Sequence, residues 1–216
     1  MPLHRRHLML ALASTATLPL GAKGQSEPDE GIDYEALQNP MPTASPGRIE
    51  VLEFFRYGCP FCNRMEDFLK VWKPRLAADV AFRKVPVSFY STTHQQLYLT
   101  LVELGEEARL GPVVFDTIHR QGQPLEMLME ISEWASRHGI AVDRFKTAWH
   151  SPRVQTGIAQ SNAQVQGWGV KSVPQFGVNG RHLTSPAMVG GSNQRALDVV
   201  DWLIAQERRT RAAPRS

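Results

Sequence analysis

Cysteine is scarce in this chain: 216 residues contain two, Cys59 and Cys62. Scattered cysteine pairs would point to a stabilising disulfide framework. Two cysteines three positions apart make a poor staple, because so short a closed loop removes little freedom from the unfolded chain. No apolar run reaches the roughly 20 residues needed to span a bilayer as a helix. No internal repeat or low-complexity block appears, which excludes solenoids and compositionally biased tails. Net charge is small, +3 over the whole chain. The first 24 residues hold Arg5, Arg6 and Lys23 and no acid; the remainder carries 21 basic and 21 acidic residues. A balanced surface of this kind speaks against nucleic acid or an anionic membrane as a partner.

The N-terminal segment has its own layout. Arg5 and Arg6 precede an uncharged apolar run, Leu8 to Leu20, and Ala22-Lys23-Gly24 supplies small residues. That order matches a secretory signal peptide, so residues 1–24 are expected to be a leader and the rest an exported protein. An uncleaved membrane anchor is the competing reading, and Arg5-Arg6 raises the twin-arginine export route. Apolar residues make up 42% of the chain and charged residues 21%, ordinary values for a globular domain.

Residues 25–47 are polar, with Pro and Gly, and read as an extended lead-in apart from Ile32–Leu37. Ile49-Glu50-Val51-Leu52-Glu53-Phe54-Phe55 is β-branched and aromatic, which predicts a buried strand. From Cys59 the period changes: Phe61, Met65, Phe68, Leu69 and Trp72 recur at helical spacing, and Pro74 should kink or end that helix. Val80–Phe89 is a second strand. Residues 92–168 carry five helical patterns, punctuated by Gly111-Pro112, Gly122-Gln123-Pro124, His138-Gly139 and Ser151-Pro152. Asn179-Gly180, flanked by strand-like Gln175–Val178 and Arg181–Thr184, predicts a hairpin. Ser192 or Asn193 caps a last helix, and the basic tail Arg208–Arg215 is expected to fray. The implied class is α/β: a mixed central sheet formed by 25–91 and 169–216, interrupted by an inserted helical domain over 92–168.

Gly58-Cys59-Pro60-Phe61-Cys62 stands where a strand hands over to a helix. Pro60 suits the first helical position, where its missing N–H has no acceptor to lose. Cys59 then faces unpaired backbone N–H groups that favour a thiolate, the species that attacks disulfides. Cys62, one turn on, can resolve a mixed disulfide. Zinc would need four ligands, but there is no second Cys pair, and His94, His119, His138, His150 and His182 are scattered. Haem attachment would need a histidine where Asn63 stands. A purely structural disulfide and copper(I) binding by the two thiolates are the remaining alternatives.

Two segments, VLEFFRYGCPFCNRMEDFL from Val51 and SVPQFGVNGR from Ser172, resemble the active-site strand and helix and the second signature of the DsbA family of bacterial periplasmic disulfide oxidases. The likeness covers roughly residues 30–207. About 111 residues separate Cys62 from Val173, where that family places a helical insertion in a thioredoxin fold. The resemblance implies that Cys59 is the nucleophile, Cys62 its resolving partner and Pro174 a cis-proline facing both sulfurs. It implies that Val173 pairs with substrate, Phe61 contributes an apolar contact, and Glu53, Glu66 and Lys84 form a charged cluster beneath the site. A solvated Glu66–Lys84 surface pair is the plainer alternative. The implied enzyme is a monomer with no cofactor beyond its Cys59–Cys62 disulfide. It oxidises reduced exported proteins in the periplasm and is reoxidised by a membrane partner of the DsbB type. One departure stands out: Pro60-Phe61 replaces the family's usual Pro-His between the cysteines. Phe61 can neither donate a hydrogen bond nor carry charge, so a less oxidising couple is expected, offset if Arg56 points toward Cys59. A reductase or isomerase on the same fold, and a non-catalytic binder, are the competing functions.

Overall fold

A computed structural model describes residues 27–212. The expected leader, residues 1–24, lies outside the described residues. Five strands form one mixed sheet in the order β1-β5-β4-β2-β3: β1 Glu35–Ala36, β2 Ile49–Phe55, β3 Val80–Pro86, β4 Gln175–Val178 and β5 His182–Thr184. β2 runs parallel to β3 and antiparallel to β4, and β4 and β5 form the hairpin. Among the described residues no helix is long and apolar enough to cross a membrane.

Every residue of β2 is buried, Glu50 and Glu53 included, and the two-residue period of a strand sorts its side chains between two layers. Ile49 and Val51 join α1 (Pro60–Trp72) and α7 (Asn193–Ala212) in one core with Phe176 and Leu203. Leu52 and Phe54 join Val85, Val87, Trp168 and Leu183 on the other face. Glu53 shares the parity of Val51 and Phe55, so the strand aims a carboxylate at the layer that contains α1. Phe55 begins a third core with Tyr57, Cys62 and the helical block.

That block comprises α2 Thr92–Glu103, α3 Glu107–His119, α4 Leu128–Arg137, α5 Val142–Trp149 and α6 Pro152–Gly167, all between β3 and β4. Local chemistry explains several boundaries. Ser91 caps α2, and Ser151 caps α6 with Pro152 at the first position. The register pairs Val178 with His182, leaving a three-residue loop in which Asn179 and Gly180 both take positive φ and the Arg181 N–H closes the turn on the Val178 carbonyl at 2.9 Å.

Several expectations are corrected. Gly111-Pro112 does not punctuate the block; it lies inside α3. A side chain on Gly111 would stand 2.9 Å from Glu107 Oε1 and 3.4 Å from the Tyr57 hydroxyl, so glycine here allows close packing. Phe61 and Phe68 do not join the buried stripe of α1, which is Cys62, Met65, Leu69 and Trp72; Phe61 is 59% exposed. β3 stops at Pro86, leaving Phe89 outside the strand. Of the basic tail, Arg208–Ala212 is helical, because Arg208 pairs with Asp79 at 2.7 Å and Arg211 reaches the carbonyls of Gly47 and Arg48; residues 213–215 lie outside the described residues.

The lead-in is tied down too. Its β1 pairs with β5, and the Met41 N–H donates to the Gly180 carbonyl. A Cβ on Gly180 would fall 2.0 Å from the Met41 oxygen, at a φ of 72°. Gly180→Ala is therefore expected to lower unfolding free energy in urea by at least about 1–2 kcal/mol, the left-handed backbone penalty alone.

Candidate active site

The turn Arg56–Cys59 converts β2 into α1. The Cys59 N–H donates to the Arg56 carbonyl at 3.1 Å, and Cys59 becomes the N-cap of the helix with extended backbone. Its sulfur accepts the Cys62 N–H at 3.4 Å, the part a serine oxygen plays in an ordinary cap. Cys59 is 7% exposed and Cys62 fully buried; both are free thiols.

Their environments push the two sulfurs apart. A hydrogen bond from the Cys62 thiol is the main influence lowering the Cys59 pKa to about 6; backbone N–H groups of Cys62 and Phe61 and the charge of Arg56 act in the same direction against partial burial. Cys62 moves strongly upward, first because burial disfavours a thiolate and then because of its bond to Cys59. One sulfur is thus anionic near neutral pH and the other holds its proton.

The Val173–Pro174 peptide is cis, and the Cys59 thiol lies 3.5 Å from the Val173 carbonyl. A cavity of about 530 Å³ opens beside Cys59, lined among others by Arg56, Phe61, Phe89, Tyr90, Lys171 and Val173. The larger cavity between the lead-in and α7, about 570 Å³, holds neither cysteine. Arg56 turns toward the site: its guanidinium donates to the Gly58 carbonyl at 3.3 Å and lies over Tyr90. Phe61, at the exposed rim of the cavity beside Cys59, lies under the guanidinium of Arg64.

Beneath the site Glu53 is 0% exposed, and neither carboxylate oxygen has a hydrogen-bond partner among the described residues. Burial is the main cause raising its pKa to about 8, against the pull of Lys84. Lys84 Nζ stands 3.8 Å from Glu53 and bonds Glu66 more closely. Burial disfavours the Lys84 charge, but Glu53 and Glu66 outweigh it and raise its pKa. With its side chain 8% exposed, Lys84 is no solvated surface partner, whereas Glu66 borders a second cavity between α1 and α3. Glu53, Lys84 and Glu66 therefore run from the buried layer to solvent.

Sequence reasoning passed over two histidines. His94 on α2 and His119 on α3 bond the backbone of the Arg56–Cys59 turn. Their positions, 94 and 119, lie far from the cysteines along the chain and carry no local pattern that could have flagged them.

Residues 50–199 match the family model described as the DSBA-like thioredoxin domain. The thiol:disulfide interchange protein DsbA of Azotobacter vinelandii is 36% identical over 203 residues, covering 91% of this chain and 94% of that protein. The Bordetella pertussis protein of the same name is 35% identical, covering 94% and 96%. The crystal structure of Pseudomonas aeruginosa DsbA superposes with a TM-score of 0.81 at 30% identity, covering 85% of this chain and 96% of that one. These likenesses establish the thioredoxin fold with its inserted helical domain.

The pH dependence of stability follows from Cys59. Its folded pKa lies below the ordinary 9.0, so the stabilising effect of its ionisation is full above about pH 9, shrinks as pH falls, and is gone below about 6. Urea unfolding of the reduced protein and of Cys59→Ser should therefore differ by a constant below pH 6 and by a growing margin from 6 to 9. Glu53 titrates within that range but is present in both proteins, so it cancels to first order. A flat difference across the range would contradict the assignment.

Proposed function

Since the chain belongs to the DSBA-like thioredoxin domain family and is a thiol–disulfide oxidoreductase, we propose that it works as an oxidase, passing its Cys59–Cys62 disulfide to reduced exported proteins. The observation that carries this direction is the seat of Cys59. A thiolate stabilised at a helix N-terminus lowers the free energy of the dithiol state, which makes the disulfide a stronger oxidant.

The chemistry proceeds by two exchanges. A substrate thiolate attacks the Cys59 sulfur, forming a mixed disulfide and breaking the Cys59–Cys62 bond. Cys62 leaves with the electron pair and takes a proton, because its burial disfavours an anion. The neutral carboxyl of Glu53 is a proton source on that face of the sheet, and Lys84 and Glu66 connect it to solvent. A second substrate thiolate then attacks the substrate sulfur and expels Cys59 as a thiolate, a good leaving group near neutral pH. The substrate loses two electrons, and the enzyme holds them on two reduced sulfurs.

The remaining residues fit around this step. Val173, before Pro174, offers a backbone carbonyl beside Cys59 to an extended client segment. Phe61, Tyr90 and Phe89 supply apolar contact without demanding a particular sequence. Pro60 starts the helix without a wasted donor. The disulfide is the redox group and no other cofactor enters the scheme. We assign residues 1–24 to a signal peptide, 25–91 with 169–216 to the thioredoxin-like unit and 92–168 to the inserted domain. The protein acts as a monomer in the periplasm, and a membrane partner of the DsbB type takes its electrons. The reductase or isomerase reading draws on Phe61, which puts no charge beside the thiolate.

Two measurements test these assignments. A Cys62→Ala variant, which retains the nucleophile but lacks the resolving thiol, should accumulate mixed disulfides with exported proteins through Cys59. Their absence would remove Cys59 as the nucleophile, whereas rapid insulin reduction with negligible oxidation of a reduced substrate by the wild type would move the assignment to a reductase. Phe61→His should make the couple more oxidising in glutathione buffers, by roughly tenfold in equilibrium constant for each unit that the Cys59 pKa falls; an unchanged constant would show that Phe61 does not tune it.

A further inference from the structure

The turn that seats Cys59 exposes main-chain groups that need partners. The Arg56 carbonyl accepts the Cys59 N–H, and the Gly58 carbonyl accepts the Arg56 guanidinium. The other two partners come from the inserted helical block. His119 Nε2 donates to the Tyr57 carbonyl at 2.7 Å, with its ring stacked near that of Phe115. The Gly58 N–H donates to His94 Nδ1 at 3.2 Å.

The second contact fixes the state of the His94 ring. Its Nε2 lies 2.9 Å from the Pro124 carbonyl, an acceptor with no proton, so Nε2 carries the hydrogen. Nδ1 must then be bare to accept from Gly58, and the ring is neutral. Burial works in the same direction, lowering the His94 pKa despite Glu126 at 3.6 Å. The fit is also steric. A Cβ on Gly58 would stand 2.9 Å from His94 Cε1 and 3.0 Å from Nδ1, so a glycine is what lets the imidazole reach the backbone.

We propose that His94 is a positioning residue for Cys59: from the inserted domain, its bare Nδ1 holds the Gly58 N–H and so fixes the turn that sets the Cys59 sulfur at the helix start. The inference rests on Cys59 being the nucleophile and gives the helical block a role at the Cys59 turn. The ring touches neither sulfur and takes no part in the exchange itself.

Two substitutions separate the roles of the two ring nitrogens. His94→Asn can place a carbonyl oxygen where Nδ1 was, keeping an acceptor for Gly58 and losing the donor to Pro124. His94→Gln can keep the donor near Nε2 and loses the acceptor. The readouts are the Cys59 thiolate absorbance as a function of pH and the equilibrium constant with glutathione. His94→Gln should shift that constant roughly three- to tenfold toward a weaker oxidant and raise the thiol pKa, the size of one backbone hydrogen bond. His94→Asn should stay within about twofold of the wild type. Equal shifts in both variants, or none in either, would overturn the proposal.

Should either variant fail to fold, nitrogen NMR of the unsubstituted protein decides: a scalar coupling between the Gly58 amide nitrogen and an unprotonated His94 Nδ1 supports it, and a protonated Nδ1 defeats it. A wild-type Cys59 that titrates like an ordinary cysteine would instead remove the nucleophile reading, and this inference with it, whatever the variants do.

Discussion

Everything reactive in this protein depends on a sulfur occupying the cap position of α1. A cap must accept backbone N–H groups that have no helical partner, and an anion does so better than a neutral thiol. The hydrogen bond from the Cys62 N–H to the Cys59 sulfur is therefore both a structural bond and an electrostatic device. It completes the helix start and favours the thiolate over the neutral thiol. Pro60 contributes by withholding a donor, and Arg56 by adding charge at the mouth of the cavity.

The partner sulfur is governed by the opposite rule. Cys62 lies on the buried stripe of α1 with Met65, Leu69 and Trp72, where an anion is costly. Placing the two sulfurs one helical turn apart puts one at the polar end of the helix and the other in its apolar core. Glu53 extends that logic one layer down. Strand parity forces it inward, burial keeps its proton, and Lys84 prevents the position from being a closed apolar pocket. The acid is costly to the fold at higher pH, and on the proposed function the cluster reaching solvent through Glu66 gives it a chemical purpose.

Much of this was legible before any coordinates. The bounds of β2, the start of α1 at Pro60, the hairpin around Asn179-Gly180 and five helices between the halves follow from period, capping and turn chemistry. These are local signals, readable within a dozen residues. What could not be read arises from contacts between distant segments. Gly111-Pro112 looks like a break but sits within α3, with the Tyr57 hydroxyl close over the glycine, a contact from a distant segment. Phe61 and Phe68 fit a helical period yet face outward, because period alone does not say how wide the buried stripe is. His94 and His119 looked scattered in the sequence, and only the packing of α2 and α3 brings both to one turn. The lead-in showed no strand pattern because two residues of pairing with β5 are too few to leave one.

Under the proposed function, in which clients arrive as unfolded chains, that short pairing has a wider meaning. Such clients are themselves searching for exposed strand edges, and an open edge on the enzyme would capture them in unproductive ladders. Here β1 and the segment through Met41 lie along the β5 side of the sheet, while helices of the inserted block pack against β3 at the other. Gln95 and Tyr98 also hold the Pro86 and Lys84 carbonyls of β3, so on the proposed function the backbone beside Val173 is the place where a visiting chain can lie down, and that place is next to the sulfur.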